Sequence, residues 1–330
     1  MDPIHSALAP ETARSFSKVD LGFGPRGLLV LDKAVAKDVT GGPSSWLPSV
    51  LSALATHGHE IRRCYVTGHS LTGLSNDDKV TLVNAICNLQ ALEEWRFLLD
   101  ALPDSSDVLQ TIIDGAHKSA SLTSLCITYG LQLRQSQVNV MARALSEHET
   151  LRRISLLHVN SKDSNQAIDL SPLFLSFCSI PSLESVNVAS EMEGVVGVDT
   201  RAVQKFFASQ SISDATLWGL NLNTTHLEAI AKSLRGPTNL RFLSLRRNPE
   251  LENGWKPFVE MLLGNTTLLS LYHDGCEDEA FMEVLLYLNQ IGRGALLTDS
   301  DREDWYTMLQ GLQPCDAYCL LRQAPHMWMP

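Results

Sequence analysis

A short apolar pattern recurs along most of the chain at a nearly constant interval. The pattern is apolar-x-x-apolar-x-apolar, and its eight copies begin at Ile61, Leu92, Leu122, Leu151, Leu183, Ile212, Leu240 and Leu268. Successive starts are separated by at least 28 residues (240 to 268) and at most 32 residues (151 to 183). Self-similarity at a fixed period is the signature of a repeat protein. The chain is therefore predicted to consist of stacked copies of one small unit.

A helical pattern lies between the copies of the apolar pattern. Apolar residues at positions i, i+3, i+4 and i+7 mark one face of an α-helix. Stripes of this kind begin at Leu47, Leu82, Leu109, Val138, Leu173, Leu227 and Phe281, and partial stripes contain Val203 and Phe258. Each unit is thus predicted to contain one short strand and one helix.

A unit of this size cannot bury its apolar face alone, so the units are expected to stack. Stacked strands give a parallel sheet on the concave side, and the helices give the convex side. The predicted fold class is α/β, a horseshoe-shaped solenoid. Both ends need caps, because an open end would leave apolar surface and a strand edge bare.

Residues 240–248, with the sequence LRFLSLRRN, match the leucine-rich-repeat consensus L-x-x-L-x-L-x-x-N. The next unit has Cys276 at the final position, which the consensus also allows. The chain therefore resembles leucine-rich-repeat proteins, and a period near 29 residues with a helix per unit resembles their ribonuclease-inhibitor-like subclass. The resemblance implies that Asn248 lies inside the turn after its strand and bonds neighbouring backbone. Other units depart from the consensus at this position, with His69, Asp100, Gly130, Val159, Glu191 and Leu220.

Three regions follow from the span of the repeats. Residues 1–55 are predicted to form an N-terminal segment and cap, in which a glycine-rich loop precedes a capping strand at residues 28–31. Residues 56–292 are predicted to form an array of about eight units, and residues 293–330 a C-terminal cap. The end of the chain carries the pattern YLNQIGRG at residues 287–294, then Trp305, then CDAYCLLR at residues 315–322. This pattern resembles the closing segment of leucine-rich-repeat proteins from diatom-type algae.

Charge and apolar patterning exclude several partners. The 330 residues include 26 Lys and Arg against 37 Asp and Glu, a formal net charge of −11. Nonspecific nucleic-acid binding and docking on an anionic membrane both need clustered cations, so neither is expected. No secretory signal and no membrane-spanning apolar run are visible. The seven cysteines are scattered singly, which is typical of reduced thiols, so we expect a cytoplasmic protein, with the nucleus as the alternative.

The motifs that could carry catalysis are incomplete. Residues 22–27 match G-x-G-x-x-G, but a dinucleotide site needs a strand before the motif and a helix after it, and here a β-like run follows. His57, His59 and His69 lack the spacing of a zinc-ligand set, and no nucleophile elbow is present. We therefore expect no enzymatic activity, no catalytic residues, no cofactor and no metal.

Three rows of side chains are predicted to face outward from the concave sheet, because side chains alternate along a strand. The third row follows the last inward residue of each strand and consists of Thr67, Leu98, Thr128, Leu157, Ala189, Trp218, Arg246 and Asp274. The outward residues of the middle units are mainly small and polar, and such residues are poor anchors for a partner.

Large aromatic residues are concentrated in the last three units, where they have no core to fill on this face. Trp, Tyr and Arg are also the residue types enriched among binding hot spots. The predicted partner-binding residues are Asp214, Trp218, Phe242, Arg246, Tyr272 and Asp274. The alternative is that Trp218, Arg246 and Asp274 form an internal ladder of cation–π and ionic contacts that stabilises the sheet.

The predicted function is binding of a protein partner without catalysis, and two rivals come from other classes. Some ribonuclease-inhibitor-like repeat proteins activate the small GTPase Ran, but those carry a long acidic tail, whereas residues 324–330 of this chain are neutral. A substrate adaptor of the F-box type would need a helical N-terminal docking module, and residues 1–45 are short and rich in Gly and Pro.

Overall fold

The computed structural model describes nine stretches of the chain. They comprise residues 28–31, 46–99, 106–128, 131–161, 167–191, 195–236, 238–251, 254–276 and 279–290. The chain divides into two compact units, residues 1–115 and residues 116–330. The dividing point falls within a helix, Ser106–Lys118, and coincides with none of the boundaries predicted from the repeats.

Three parallel strands lie in the described residues of the first unit. They are β1 (Leu28–Leu31), β2 (Arg63–Thr67) and β3 (Glu94–Leu98). Leu29 pairs with Cys64, and Cys64 pairs with Trp95, so the inward positions of successive strands are in register. All three of these side chains are buried. The strand expected at residues 28–31 is therefore confirmed, and it extends the sheet by one strand before the first clear repeat.

Helices connect these strands and cover their inner face. They are α1 (Leu47–His57), the short α2 (Gly68–Leu71), α3 (Asn76–Cys87) and α4 (Ser106–Lys118). The apolar stripe of α1 is buried through Val50 and Leu54. Helix α3 begins after Ser75, whose side chain accepts the N–H of Asp78. The first turn of α3 contains Asp77 and Asp78, whose negative charge is favoured by the helix dipole.

The described residues of the second unit include ten strands, six of which lie in one parallel sheet. The strands are β4 (Ser124–Thr128), β5 (Leu131–Leu133), β6 (Arg153–Leu156), β7 (Val159–Ser161), β8 (Ile168–Asp169), β9 (Ser185–Ala189), β10 (Val196–Gly197), β11 (Asp214–Trp218), β12 (Phe242–Ser244) and β13 (Ser270–Tyr272). The order in the sheet is β4-β6-β9-β11-β12-β13. The remaining strands form two short parallel pairs, β5 with β7 and β8 with β10.

In the part of the second unit that the structure describes, six helices follow the strands. They are α5 (Gln135–Ser146), α6 (Ser171–Phe177), α7 (Thr200–Phe207), α8 (Thr224–Leu234), α9 (Lys256–Gly264) and α10 (Glu279–Gln290). Their apolar stripes are buried against the sheet; Phe174 and Phe206, on consecutive helices, have ring centroids 5.2 Å apart. Asp199 caps α7 and Asn223 caps α8 through side-chain oxygens, as N-cap residues do.

Asn248 confirms the leucine-rich-repeat turn. Its side chain is buried, and its Oδ1 accepts the backbone N–H groups of Leu220 and Leu222 in the preceding repeat. Its Nδ2 donates to the carbonyl oxygens of Leu217, Leu245 and Arg246. One amide side chain thus satisfies backbone groups of two consecutive turns, which the strands alone would leave unpaired.

All eight strands predicted from the apolar pattern are present, and each predicted helical stripe lies on a helix. The repeated strand–helix unit with a parallel sheet is the architecture of an α/β leucine-rich-repeat solenoid. The predicted cap at residues 293–330 and the glycine-rich motif at residues 22–27 lie outside the described residues. Within the described part of the chain, no helix is both long enough and apolar enough to cross a membrane.

Candidate functional site

One face of the second unit's sheet is opposite the helices, and we call it the open face. The inward side chains Ala215 and Leu217 are fully buried, whereas Asp214, Thr216 and Trp218 on the same strand are partly exposed. This alternation is expected for a sheet with one face packed against helices. It places the predicted outward rows on the open face.

The third predicted row is exposed only in part, which corrects the expectation. Thr128 and Ala189 are buried, and so is Thr67 in the first unit. This position directly follows the last inward residue of each strand. Trp218 and Arg246 have larger side chains at this position, and they remain partly exposed.

Phe242 and Tyr272 form an aromatic pair on the open face. Their ring centroids are 5.3 Å apart and their planes are inclined by 40°. The sheet register explains the contact: Phe242 pairs with Ser270, so Tyr272 is its diagonal neighbour on the next strand. Both rings are partly exposed, and diagonal neighbours are within reach of aromatic side chains.

Two arginines stack on aromatic rings beside this pair. The Arg246 guanidinium lies 5.2 Å from the Tyr272 ring centroid, and the Arg247 guanidinium lies 5.0 Å from the Trp218 ring centroid. The expected ladder of Trp218, Arg246 and Asp274 does not include this contact of Arg247 with Trp218. Strand β12 ends at Ser244, and a φ of 56° at Arg247 turns the following residues. The residue that stacks on Trp218 is therefore the second arginine.

The two predicted acidic residues are held by nearby donors. The Asp274 carboxylate accepts the backbone N–H of Arg247, and the Asp214 carboxylate accepts a hydrogen bond from the Ser213 hydroxyl. Asp214 also pairs in register with Phe242. Asp274, the acidic member of the expected ladder, therefore accepts a hydrogen bond from the backbone of Arg247.

The structure therefore brings all six predicted residues onto three neighbouring strands and the turns that follow them, and it adds a seventh. We use the term aromatic–arginine cluster for Trp218, Phe242, Arg246, Arg247 and Tyr272, with Asp214 and Asp274 at its border. Side-chain alternation does not predict Arg247, because this residue lies in the turn after the strand. An alignment of the units distinguishes it, since Arg247 stands at the position that Gly219 and Gly275 hold in the neighbouring units.

The described residues contain no candidate metal site. No three His, Cys, Asp or Glu side chains within that part of the chain are placed to hold a metal ion. His57 and His59 lie within 3.8 Å and 3.6 Å of Glu60, and the side chain of His69 is outside the described set. Burial raises the pKa of the Cys64 and Cys87 thiols far above the usual range, which opposes formation of a nucleophilic thiolate.

No protein-family model and no curated protein sequence matches the chain. Among solved structures, the chain is similar to one from the complex of Rad7 and Elc1 in yeast, with 12% identity, a TM-score of 0.43, and coverage of 74% of this chain and 68% of that one. It is also similar to one from the TLR13–ssRNA13 complex, with 16% identity and a TM-score of 0.35. That match covers 66% of this chain and 26% of the other chain. The fold class is therefore assigned from the strand–helix repeat itself and not from these distant similarities.

Proposed function

We propose that this protein is a non-enzymatic interaction module of the ribonuclease-inhibitor-like leucine-rich-repeat type. It binds a protein partner through the aromatic–arginine cluster on the open face of the second unit. The repeat period and the presence of a helix in nearly every unit support the subclass. The placement of the cluster supports the binding surface.

The observation that carries the proposal is the partly exposed Phe242–Tyr272 pair with Arg246 stacked on it. The core of the unit lies on the other face of the sheet, so these rings fill no interior space. Fully burying an aromatic side chain stabilises a complex by about 1.5–3 kcal/mol. Aromatic and arginine side chains also dominate the energetics of known interfaces. The neighbouring strand β9 offers only Ser185, Asn187 and the buried Ala189.

The stacked contacts also stabilise the sheet. Under the internal-ladder alternative, this stabilisation is the only role of the cluster. Cross-strand aromatic pairs and exposed cation–π contacts contribute about 0.2–1 kcal/mol each. A purely structural cluster would show only this loss when mutated. A binding cluster would lose the partner in addition.

The direct test is affinity capture from a cell lysate followed by mass spectrometry. The variant Trp218→Ala/Phe242→Ala/Arg246→Ala/Tyr272→Ala is compared with wild type, and circular dichroism verifies its fold. The matched control is Tyr287→Ala, which removes an exposed aromatic ring from helix α10. We expect a partner that wild type and the control retain and the cluster variant loses. Retention of the same partners by all three proteins would contradict the proposal.

No feature of the described residues favours either of the two rival functions. A GTP-hydrolysis assay tests the first of them. A Ran-type activator would accelerate GTP hydrolysis by a small GTPase, whereas an interaction module leaves the rate unchanged. A substrate adaptor would use the N-terminal segment, most of which lies outside the described residues.

A further inference from the structure

Arg247 occupies a turn position that both neighbouring units fill with glycine. It is the eighth residue from the start of its repeat, as are Gly219 and Gly275, and the three have φ values of 56°, 67° and 128°. Residues with a side chain are disfavoured in this left-handed region, whereas glycine is not. The turn itself therefore gives no reason for an arginine at this position.

The Arg247 side chain is oriented by its surroundings but has no ionic partner within the described residues. Its guanidinium stacks on Trp218, and its backbone N–H is bonded to the Asp274 carboxylate. The residue is exposed to solvent. Stacking uses the face of the planar guanidinium and leaves the N–H donors along its edge available.

We infer that Arg247 binds an Asp or Glu side chain of the protein partner. This inference rests on the proposed function and names the chemistry that the partner must present at one position. The two edge donors of a guanidinium match the two oxygens of a carboxylate in geometry, and such charge-assisted pairs are among the stronger hydrogen bonds. The Phe242–Tyr272 pair lies in the same cluster and receives an apolar side chain next to that acid.

The charges around the cluster favour a carboxylate over a phosphorylated side chain. Asp214 and Asp274 both border the cluster, and the chain carries a formal net charge of −11. A phosphate carries close to two negative charges at neutral pH, so these carboxylates would repel it more strongly than they repel a singly charged Asp or Glu. The partner segment is therefore assigned as acidic and unphosphorylated.

The test uses the full chain and a random peptide library displayed on phage. A selected peptide is then made in three forms: with its acid, with the matching amide, and with phosphoserine at that site. Fluorescence anisotropy measures the binding of each form to wild type, Arg247→Gly, Phe242→Ala/Tyr272→Ala and His158→Gly. His158 is the matched control, because it is also the eighth residue of its repeat and has a φ of 58°.

We expect an acidic consensus, with binding of the acidic form weakened roughly tenfold or more by Arg247→Gly or by the amide peptide. The two changes together should cost little more than either one alone, because they remove the same contact. His158→Gly should bind like wild type. Because Arg247→Gly relieves the left-handed backbone, its melting temperature should stay within about 4 °C of wild type. If that variant does not fold, Arg247→Asn replaces it, since Asn tolerates this region.

Three results overturn the inference: a library without acid-dependent binders, an acidic peptide insensitive to Arg247→Gly, or tighter binding of the phosphoserine form. Peptides that depend on Phe242 and Tyr272 but not on Arg247 would overturn this inference and leave the proposed function intact. A captured partner that is retained by the Trp218→Ala/Phe242→Ala/Arg246→Ala/Tyr272→Ala variant would remove the proposed function itself.

Discussion

The Nδ2 of Asn248 donates to the carbonyl oxygen of Leu217, one repeat earlier, at 2.9 Å. This bond and the four others of the same side chain tie the turn after β12 to the turn after β11. Since Asn248 is buried, water does not replace the lost partners when the side chain is removed. The stability of this part of the sheet therefore depends on one amide group.

Replacing Asn248 by Ala should lower the free energy of unfolding by about 2–4 kcal/mol, because several buried backbone groups would be left unpaired. Urea denaturation followed by circular dichroism measures the change. Asn239→Ala is the control, since Asn239 is exposed and its side chain donates one bond, to the Gln210 carbonyl. Equal losses in the two variants would show that the Asn248 network is unimportant.

Replacing Gly219 by Ala should destabilise the second unit by about 2 kcal/mol or more. Gly219 has a φ of 67°, and an added Cβ would lie 2.3 Å from the Ser190 carbonyl oxygen. Gly264 ends helix α9 and has nothing within 4 Å of an added Cβ, so Gly264→Ala should instead stabilise by about 0.4–1 kcal/mol. Thermal unfolding of the two variants should shift in opposite directions. A shift in the same direction would contradict the turn geometry described for Gly219.

The stability of the second unit should fall as the pH falls below 6.5, the ordinary pKa of histidine. Burial lowers the pKa of His148, and a smaller part of the shift is cancelled by the carbonyl groups of Ser119 and Ala116. The unfolded chain then takes up the proton more readily than the folded one. The contribution of neutral His148 to the stability of the folded state is therefore fully present above pH 6.5. It is lost as the pH falls through the lower pKa that His148 has in the folded protein.

His148→Asn removes this titration while keeping an acceptor near the Thr150 N–H that His148 Nδ1 now accepts. Urea midpoints measured between pH 7 and pH 5 should decline less steeply in the variant than in wild type. Parallel declines would mean that His148 is not the group responsible.

Cys64 and Cys87 should resist alkylation in the native protein. Burial raises the pKa of both thiols, and the neighbouring Cys64 raises that of Cys87 further. Treatment with iodoacetamide at pH 8, followed by peptide mass spectrometry, should label them only after addition of urea. Equal labelling rates with and without urea would contradict their burial in the first unit.

The recurring apolar pattern and the apolar stripes between its copies were sufficient to predict the eight repeat strands and the long helices. Leu240, Leu243 and Leu245 all face the core because inward side chains recur along a strand and each turn restores the register. The short pairs β5–β7 and β8–β10 were not predicted. Their strands have only two or three residues, as in Ile168–Asp169, and such segments are too short to show an alternating pattern.

The candidate site was predicted in position but not in detail. Side-chain alternation places Phe242 and Tyr272 on the open face, and the register makes them neighbours. The stacking of Arg247 on Trp218 depends on the φ of a single turn residue. Alternation cannot predict such a turn, because it applies only while the chain remains extended.

The central claim is that the aromatic–arginine cluster contacts a protein partner. Hydroxyl-radical footprinting of the captured complex, with peptide mass spectrometry, tests it most directly. Binding should slow the oxidation of Phe242 and Tyr272 and leave Tyr287, on helix α10, unchanged. Slower oxidation of Tyr287 with unchanged rates at Phe242 and Tyr272 would place the partner on the helices and contradict the account.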